Sequence, residues 1–440
     1  LTYSHKSTLF GVPKYYYYLT IFFTFILFTN PAEAWWNHFL FNRPALEGVP
    51  ELVSAPKVKV ESLEEFLLKE KDGLVQLMNQ MENEAKQTYS KKAPLPESLY
   101  FKGGDTKSIR NNFLRALRVN TGTPIGYFLQ NLPGKPLPGK KSDPKTVSIY
   151  GEKDLKQDYE FYDIKKGDLV SPIEVLATAS DEPDFGLDLN LFLDNGEQFG
   201  KDYAFGIQSF GDSKIYYSTQ VPFHIGYYHE SKIIFAAAEF LTRTYPRYRV
   251  YQFTTLARYA FKTGHKYWGY RFLGWGMHYV GDLTQPYHAR VLPNFGTASM
   301  LWINLKAILG DETAKNEAID RISNRHQTIE KYHFSTLRDA YIAKKLDHPF
   351  ILSVMKTEKD TSYGNFNDSY IVDVLTKESY GVSDRFDTLI DESNLLNGFS
   401  EGKLLQQINQ KSLNELDATI AEHMQNVGSH LRNYVRAGLK

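Results

Sequence analysis

The run HYVGDLTQPYH, residues 278–288, constrains this chain more than any other stretch. His278 and Asp282 stand four residues apart, so a helix projects both from one face. That spacing lets an imidazole and a carboxylate meet one ion. Pro286 then breaks or kinks the helix and lets His288 swing toward the same cavity. A second pair at the same spacing, His326 and Glu330, lies in HQTIE. A lone His-x-x-x-Asp pair is more often a surface or core pair than a metal site. Two such pairs plus His288, in a chain with 12 histidines, exceed chance and point to metal. The chain has no cysteine, so a metal here rests on His, Asp and Glu. That donor set suits Zn²⁺ with an open coordination position, and spacing alone also admits Mn²⁺ or Fe²⁺.

The surrounding pattern is helical. In residues 404–436 the apolar positions 413, 416, 420, 424, 427, 431 and 435 recur in steps of three and four, one buried stripe of a long helix. Residues 60–87 read as one amphipathic helix. Residues 251–283 read as two helices broken near Gly264. The segment 172–192 begins helical and breaks at Pro183. Residues 131–146, rich in Pro, Gly and Lys, read as a surface loop. Residues 195–223 carry four Gly and seven aromatics with no helical period, so they read as a long loop or small hairpin insertion. The expected fold is mainly α: a single helical domain with a Gly/aromatic loop insertion.

At the other end, residues 1–34 read as a secretory signal. Lys6 and Lys14 precede the uncharged run YYYYLTIFFTFILFT, and Ala32-Glu33-Ala34 fits a small-x-small cleavage site. The apolar run, at about 15 residues, is shorter than the ~20 that span a bilayer. Cleavage after Ala34 would leave residues 35–440 as the catalytic chain, secreted or periplasmic, with no transmembrane span. The full chain has zero net charge. Losing Lys6, Lys14 and Glu33 leaves 49 basic and 50 acidic side chains, too balanced for a protein that grips many phosphates by a basic surface.

The run FTTLARYAFKTGHKYWGYRFLGWGMHYVGDLTQPYH resembles the bacterial zinc-dependent phospholipases C, the group containing the clostridial alpha-toxin type. Their shared core reads F-x-x-L-A-R-Y … H-Y-x-G-D-x-x-x-P-Y-H. Their fold and metal site are shared with single-strand-specific nucleases of fungi and plants. The close match covers about 40 residues, and scattered motifs extend it across most of residues 35–440.

The resemblance implies a trinuclear zinc site in an α-helical domain. It implies that His278 and Asp282 are ligands, with Asp282 bridging two zincs, and that His288, His326 and Glu330 hold a further zinc. It implies that the mature N-terminal residue, Trp35 after cleavage, binds zinc through its amino nitrogen and carbonyl oxygen, with His38 beside it. ASDEPDFGLD resembles the family's Pro-Asp-Tyr-Asp stretch and selects Asp184, with Asp181 as the rival. VPFHIGYYHE favours His224 over His229, which reads as a supporting residue. His265 and His333 are expected outside the ligand set.

The activity this implies is hydrolysis of a glycerophospholipid, phosphatidylcholine above all, to diacylglycerol and a phosphorylated headgroup, with Asp184 orienting or deprotonating the attacking water. The expected partner is a phospholipid at a membrane surface, with no specific nucleic acid, and the expected state is a monomer. The same zinc trio also serves a secreted single-strand nuclease or 3′-nucleotidase, and a metal-stapled adhesion protein is a third reading. Tyr203, Phe205, Phe210, Tyr216 and Tyr217 of the insertion read equally as lipid contacts or as a lid packed on the core. No β-sandwich lipid-binding domain is apparent after residue 340.

Overall fold

The computed structural model describes residues 37–440 except 90, 154, 156–158, 212 and 399–407. Residues 1–34 and Trp35 lie outside the described residues.

The chain is mainly α. Helix α1 (Phe39–Leu46) buries nearly all of its residues. The segment expected as one helix over 60–87 is two, α2 (Leu63–Lys69) and α3 (Lys71–Thr88). Ser62 caps α2 by accepting from Glu65 N. The chain leaves helical angles at Glu70, whose carboxylate meets His265 at 3.2 Å and the Tyr259 hydroxyl at 3.2 Å. Tertiary partners thus interrupt a continuous apolar period.

Two short antiparallel ribbons flank the helices. Strand β1 (Val58–Lys59) pairs with β4 (Leu169–Val170), and β2 (Phe128–Gln130) pairs with β3 (Phe161–Asp163). The Pro/Gly/Lys segment 131–146 loops between β2 and β3 and ends in a helical turn, Pro144–Val147. Helix α4 (Pro172–Ala179) follows. The chain has left it before Pro183, which starts a separate helical turn, Pro183–Leu187.

Among the described residues the Gly/aromatic insertion forms no hairpin. It folds as helical turns at Leu193–Asn195, Gln198–Tyr203 and Tyr216–Gln220. Tyr203, Phe205 and Phe210 are buried, with the Phe205 ring 5.2 Å from Phe223 and from Tyr245. These three pack on the core, so their reading as lipid contacts falls. The Tyr216 and Tyr217 side chains lie outside the described ones.

Helix α5 (Val221–His224) is one turn. Helices α6 (Pro246–Lys262) and α7 (Lys266–Leu283) are broken at Gly264, where φ is +88°. Every residue of α7 after Lys266 is buried, as for a helix enclosed on all sides. It packs on α6 and α4. Gly274 allows the contact with α4, since a Cβ there would lie 2.5 Å from Leu176 O.

Helix α8 (Pro286–Ala289) is one turn, and α9 (Thr297–Ile308) leads to the 30-residue α10 (Thr313–Ile342). Helix α11 (Pro349–Met355), α12 (Thr376–Glu392) and α13 (Gln410–Gly438) complete the bundle. The apolar stripe read for the last helix is real: Leu416, Ile420, Met424, Val427, Leu431 and Val435 are buried against α1, α7, α11 and α12. One hydrophobic cluster runs from Phe39 to Val435. No helix among the described residues is long and apolar enough to cross a membrane.

Candidate metal centre

Helix α7 sets His278 and Asp282 one turn apart at its C-terminal end, both fully buried. His278 Nδ1 lies 2.7 Å from the Ser180 carbonyl. That carbonyl needs a donor, so Nδ1 carries a proton, and Nε2 is the nitrogen that faces the cavity. There Nε2 meets Asp282 Oδ2 at 3.1 Å, His224 Nδ1 at 3.0 Å and Asp184 Oδ1 at 3.7 Å.

The other side chains arrive from separate segments. Asn37 adopts a left-handed φ of 59°, which Asn tolerates, and its Oδ1 accepts from Gln130 at 2.9 Å. The next residue, His38, brings Nε2 to 3.2 Å from Asp282 Oδ1. The α5 turn ends on His224, whose Nδ1 is 2.8 Å from Asp282 Oδ2. Asp184 comes from the Pro183–Leu187 turn, held by a 3.0 Å hydrogen bond from Gln220 Nε2 to its Oδ1.

A second group joins α8 and α10. His326 Nε2 lies 2.6 Å from Glu330 Oε1 and 3.0 Å from His288 Nε2. Gln285 serves both elements: its Nε2 donates to Glu330 Oε1 at 2.8 Å, and its Oε1 accepts from Tyr287 N to cap α8.

Eight of the nine ligands expected from the sequence therefore converge, and the ninth, Trp35, lies outside the described residues. Three sets each bring their ligand atoms within 4.8 Å of one another: His38, Asp184 and His278; His224, His278 and Asp282; His288, His326 and Glu330. The other candidates fall outside these three sets. Asp181 belongs to none of these sets, and its Oδ2 lies 3.4 Å from the Phe39 N–H. His229 contacts Thr376 Oγ1 at 3.0 Å, and His265 sits between Glu61 and Glu70. His333 packs its ring on Phe350 at 5.7 Å.

Burial and neighbouring charge perturb several of these groups. Burial would raise Asp282, yet the neighbouring His278 and His224 hold its carboxyl well below the usual range. Burial would lower His278, yet Asp282 and Asp184 push it up to about 10. In the second group burial pushes His326 down to about 3 and Glu330 well above its ordinary value. Burial pushes Asp181 up to about 8, aided by the charge of Asp184.

The donor set fits a metal on geometry. Both Asp282 oxygens and both His38 nitrogens are buried and make no aligned hydrogen bond, although three imidazoles come within 3.2 Å of that carboxylate. Orphaned buried polar atoms are costly. The nitrogens His278 Nε2 and His224 Nδ1, and likewise His288 Nε2 and His326 Nε2, stand 3.0 Å apart, where one cation could meet both members of a pair. Buried His, Asp and Glu groups here could hold a metal ion.

Sequence reasoning missed the supports. Gln285 occupies the N-cap position of α8, and the only signal for it in the sequence is Pro286 at the first helical position. Asp188 is fully buried, 2.7 Å from Arg249 Nη2 and 2.5 Å from the Tyr279 hydroxyl, with Oδ2 3.7 Å from His224 Nε2. Nothing local marks it, since its partners are remote in sequence. No family model matches the chain, and no curated protein or solved structure matches it either.

Proposed function

We propose that the chain is an exported zinc-dependent phosphodiester hydrolase that cleaves glycerophospholipids on the glycerol side of the phosphate. The observation that carries this reading is the convergence of His38, Asp184, His224, His278, Asp282, His288, His326 and Glu330 from six separate segments. Three zinc ions would be held by these residues and by Trp35 once cleavage after Ala34 frees its amino group. Zinc at such a site supplies Lewis acidity toward a phosphate oxygen and acidifies water.

The chain's own residues divide the remaining work. Asp184 has a 17 % exposed side chain, whereas Asp282 is closed to solvent, so Asp184 is the carboxylate of that group placed to take a proton from water. Gln220 fixes its orientation through Oδ1. The buried His278 and Asp282 hold the centre rigid from α7 and exclude bulk water behind it. Substrate enters from the side on which Asp184 meets solvent.

The test is to purify the exported chain, sequence its N-terminus, count its zinc and compare turnover of phosphatidylcholine with that of single-stranded DNA. A Trp35 start, three zincs and preferred lipid hydrolysis support the proposal. Preferred DNA hydrolysis moves the same centre to a nuclease, and zinc without turnover leaves a structural staple. Asp184→Asn should lose activity while keeping zinc; an unchanged rate removes Asp184 from the chemistry.

A further inference from the structure

The ribbon β1–β4 and the start of α7 enclose an open cleft of about 620 Å³, well away from the metal centre. Lys266 precedes His278 by about 18 Å along the helix at 1.5 Å per residue. Five lysines line the cleft: Lys57 and Lys59 from the β1 side, Lys166 from the turn before β4, Lys69 from α2 and Lys266 from α7. The whole chain has zero net charge, so this is a local concentration of positive charge.

The carboxylates in the wall do not cancel it. Glu65 is taken up by Lys166. Glu61 lies against His265, with Nδ1 at 2.7 and 2.8 Å from its two oxygens, and the five lysines outnumber the two carboxylates. Lys57, Lys59, Lys69 and Lys266 make no ion pair among the described residues. His265 stands at the N-cap of α7 but makes no capping hydrogen bond, because its ring nitrogens are engaged by Glu61 and Glu70. The positive end of α7 therefore adds to the charge of the lysines.

We propose that this cleft binds a phosphorylated anion at a site separate from the metal centre. Four unpaired ammonium groups around one concavity focus negative charge into it, and the volume exceeds that of a bare ion. The same chemistry is offered by a soluble phosphate ester and by the headgroup of an anionic lipid. The proposal stands whether or not the metal centre hydrolyses phospholipid.

The experiment compares the zinc-loaded chain with the double variant Lys59→Gln/Lys266→Gln and with Lys140→Gln/Lys141→Gln, exposed lysines outside the cleft. One arm titrates glycerol phosphate calorimetrically. The other measures sedimentation with phosphatidylcholine vesicles, with and without phosphatidylglycerol. The cleft variant should bind at least about tenfold more weakly, as two lost cations imply, and keep its zinc and unfolding temperature. Loss in the glycerol phosphate arm identifies a soluble ligand, and loss only with phosphatidylglycerol identifies a lipid surface. Equal binding by wild type and cleft variant in both arms overturns the proposal, as does equal loss in the control variant.

Discussion

Gln285 donates from Nε2 to Glu330 Oε1 at 2.8 Å, joining the loop after α7 to the middle of α10. The same side chain accepts from Tyr287 N and so starts the turn that carries His288. One amide therefore orients two members of the His288–His326–Glu330 group. Gln285→Ala should weaken metal at that group by about 10–100-fold, the usual cost of a lost orienting partner. It should also lose about 1 kcal/mol from the missing cap. Competition with a chelator measures the first effect and urea unfolding the second. Unchanged zinc affinity would show that Glu330 holds its position unaided.

Gly281 precedes Asp282, and a Cβ there would lie 2.7 Å from His38 Nδ1 and 3.0 Å from its Cε1. His38 is fully buried and cannot retreat freely. Gly281→Ala should therefore displace His38, lower zinc content and lower the melting temperature. Gly381 in α12 is exposed and meets nothing within 4 Å. There the same substitution should stabilise by about 0.5–1 kcal/mol, the helix advantage of Ala over Gly. Thermal unfolding of the two variants should shift in opposite directions.

Asp360 clamps the end of α13. It is 5 % exposed, lies 2.7 Å from Arg432 Nη2 and 2.7 Å from Arg436 Nη1, and Arg432 is fully buried. Burial would raise its carboxyl, yet hydrogen bonds from Arg432 and Arg436 outweigh burial and hold it below the usual range. A pKa lower in the folded than in the unfolded state adds stability that is complete above the unfolded value, about 3.9. That stability is lost as pH falls through the folded value. Asp360→Asn should cost about 3 kcal/mol at neutral pH by leaving Arg432 buried without its counter-charge. The deficit should shrink as pH falls into the acid range. Urea unfolding across pH checks both; a deficit constant with pH would show that the carboxylate charge is not the source.

Local periodicity made much of this molecule legible. The stripe from Leu416 to Val435 and the His278/Asp282 and His326/Glu330 pairs are fixed by 3.6-residue spacing. A helix that forms at all must present them together. The break at Glu70 was not legible, because His265 and Tyr259 hold that carboxylate from nearly 200 residues away. Nor was the burial of Tyr203, Phe205 and Phe210. A Gly-rich aromatic stretch has no period to reveal its inner face, and only packing against Phe223 and Tyr245 decides it. Nor does local sequence show that the turn at Pro183 carries Asp184 Oδ1 to 3.7 Å from His278 Nε2.

If the centre holds zinc as proposed, its stoichiometry should separate the two halves of the centre. His326 brings its Nε2 within 3.0 Å of His288 and Glu330, whereas Asp282 meets His38, His224 and His278 at 2.8–3.2 Å. Removing His326 leaves the Asp282 group with all its donors. Removing the Asp282 charge takes the shared anion from three imidazoles at once, and an amide cannot replace it. His326→Ala should therefore lose one zinc and keep the rest, while Asp282→Asn should lose more than one. Asp282→Asn should also unfold at the lower temperature, since bound metal stabilises the folded state by mass action and three buried imidazoles would be left facing a neutral amide. Metal analysis after exhaustive dialysis, paired with thermal unfolding, reads both. Equal zinc loss from the two variants would mean that the groups fill as a single cooperative unit.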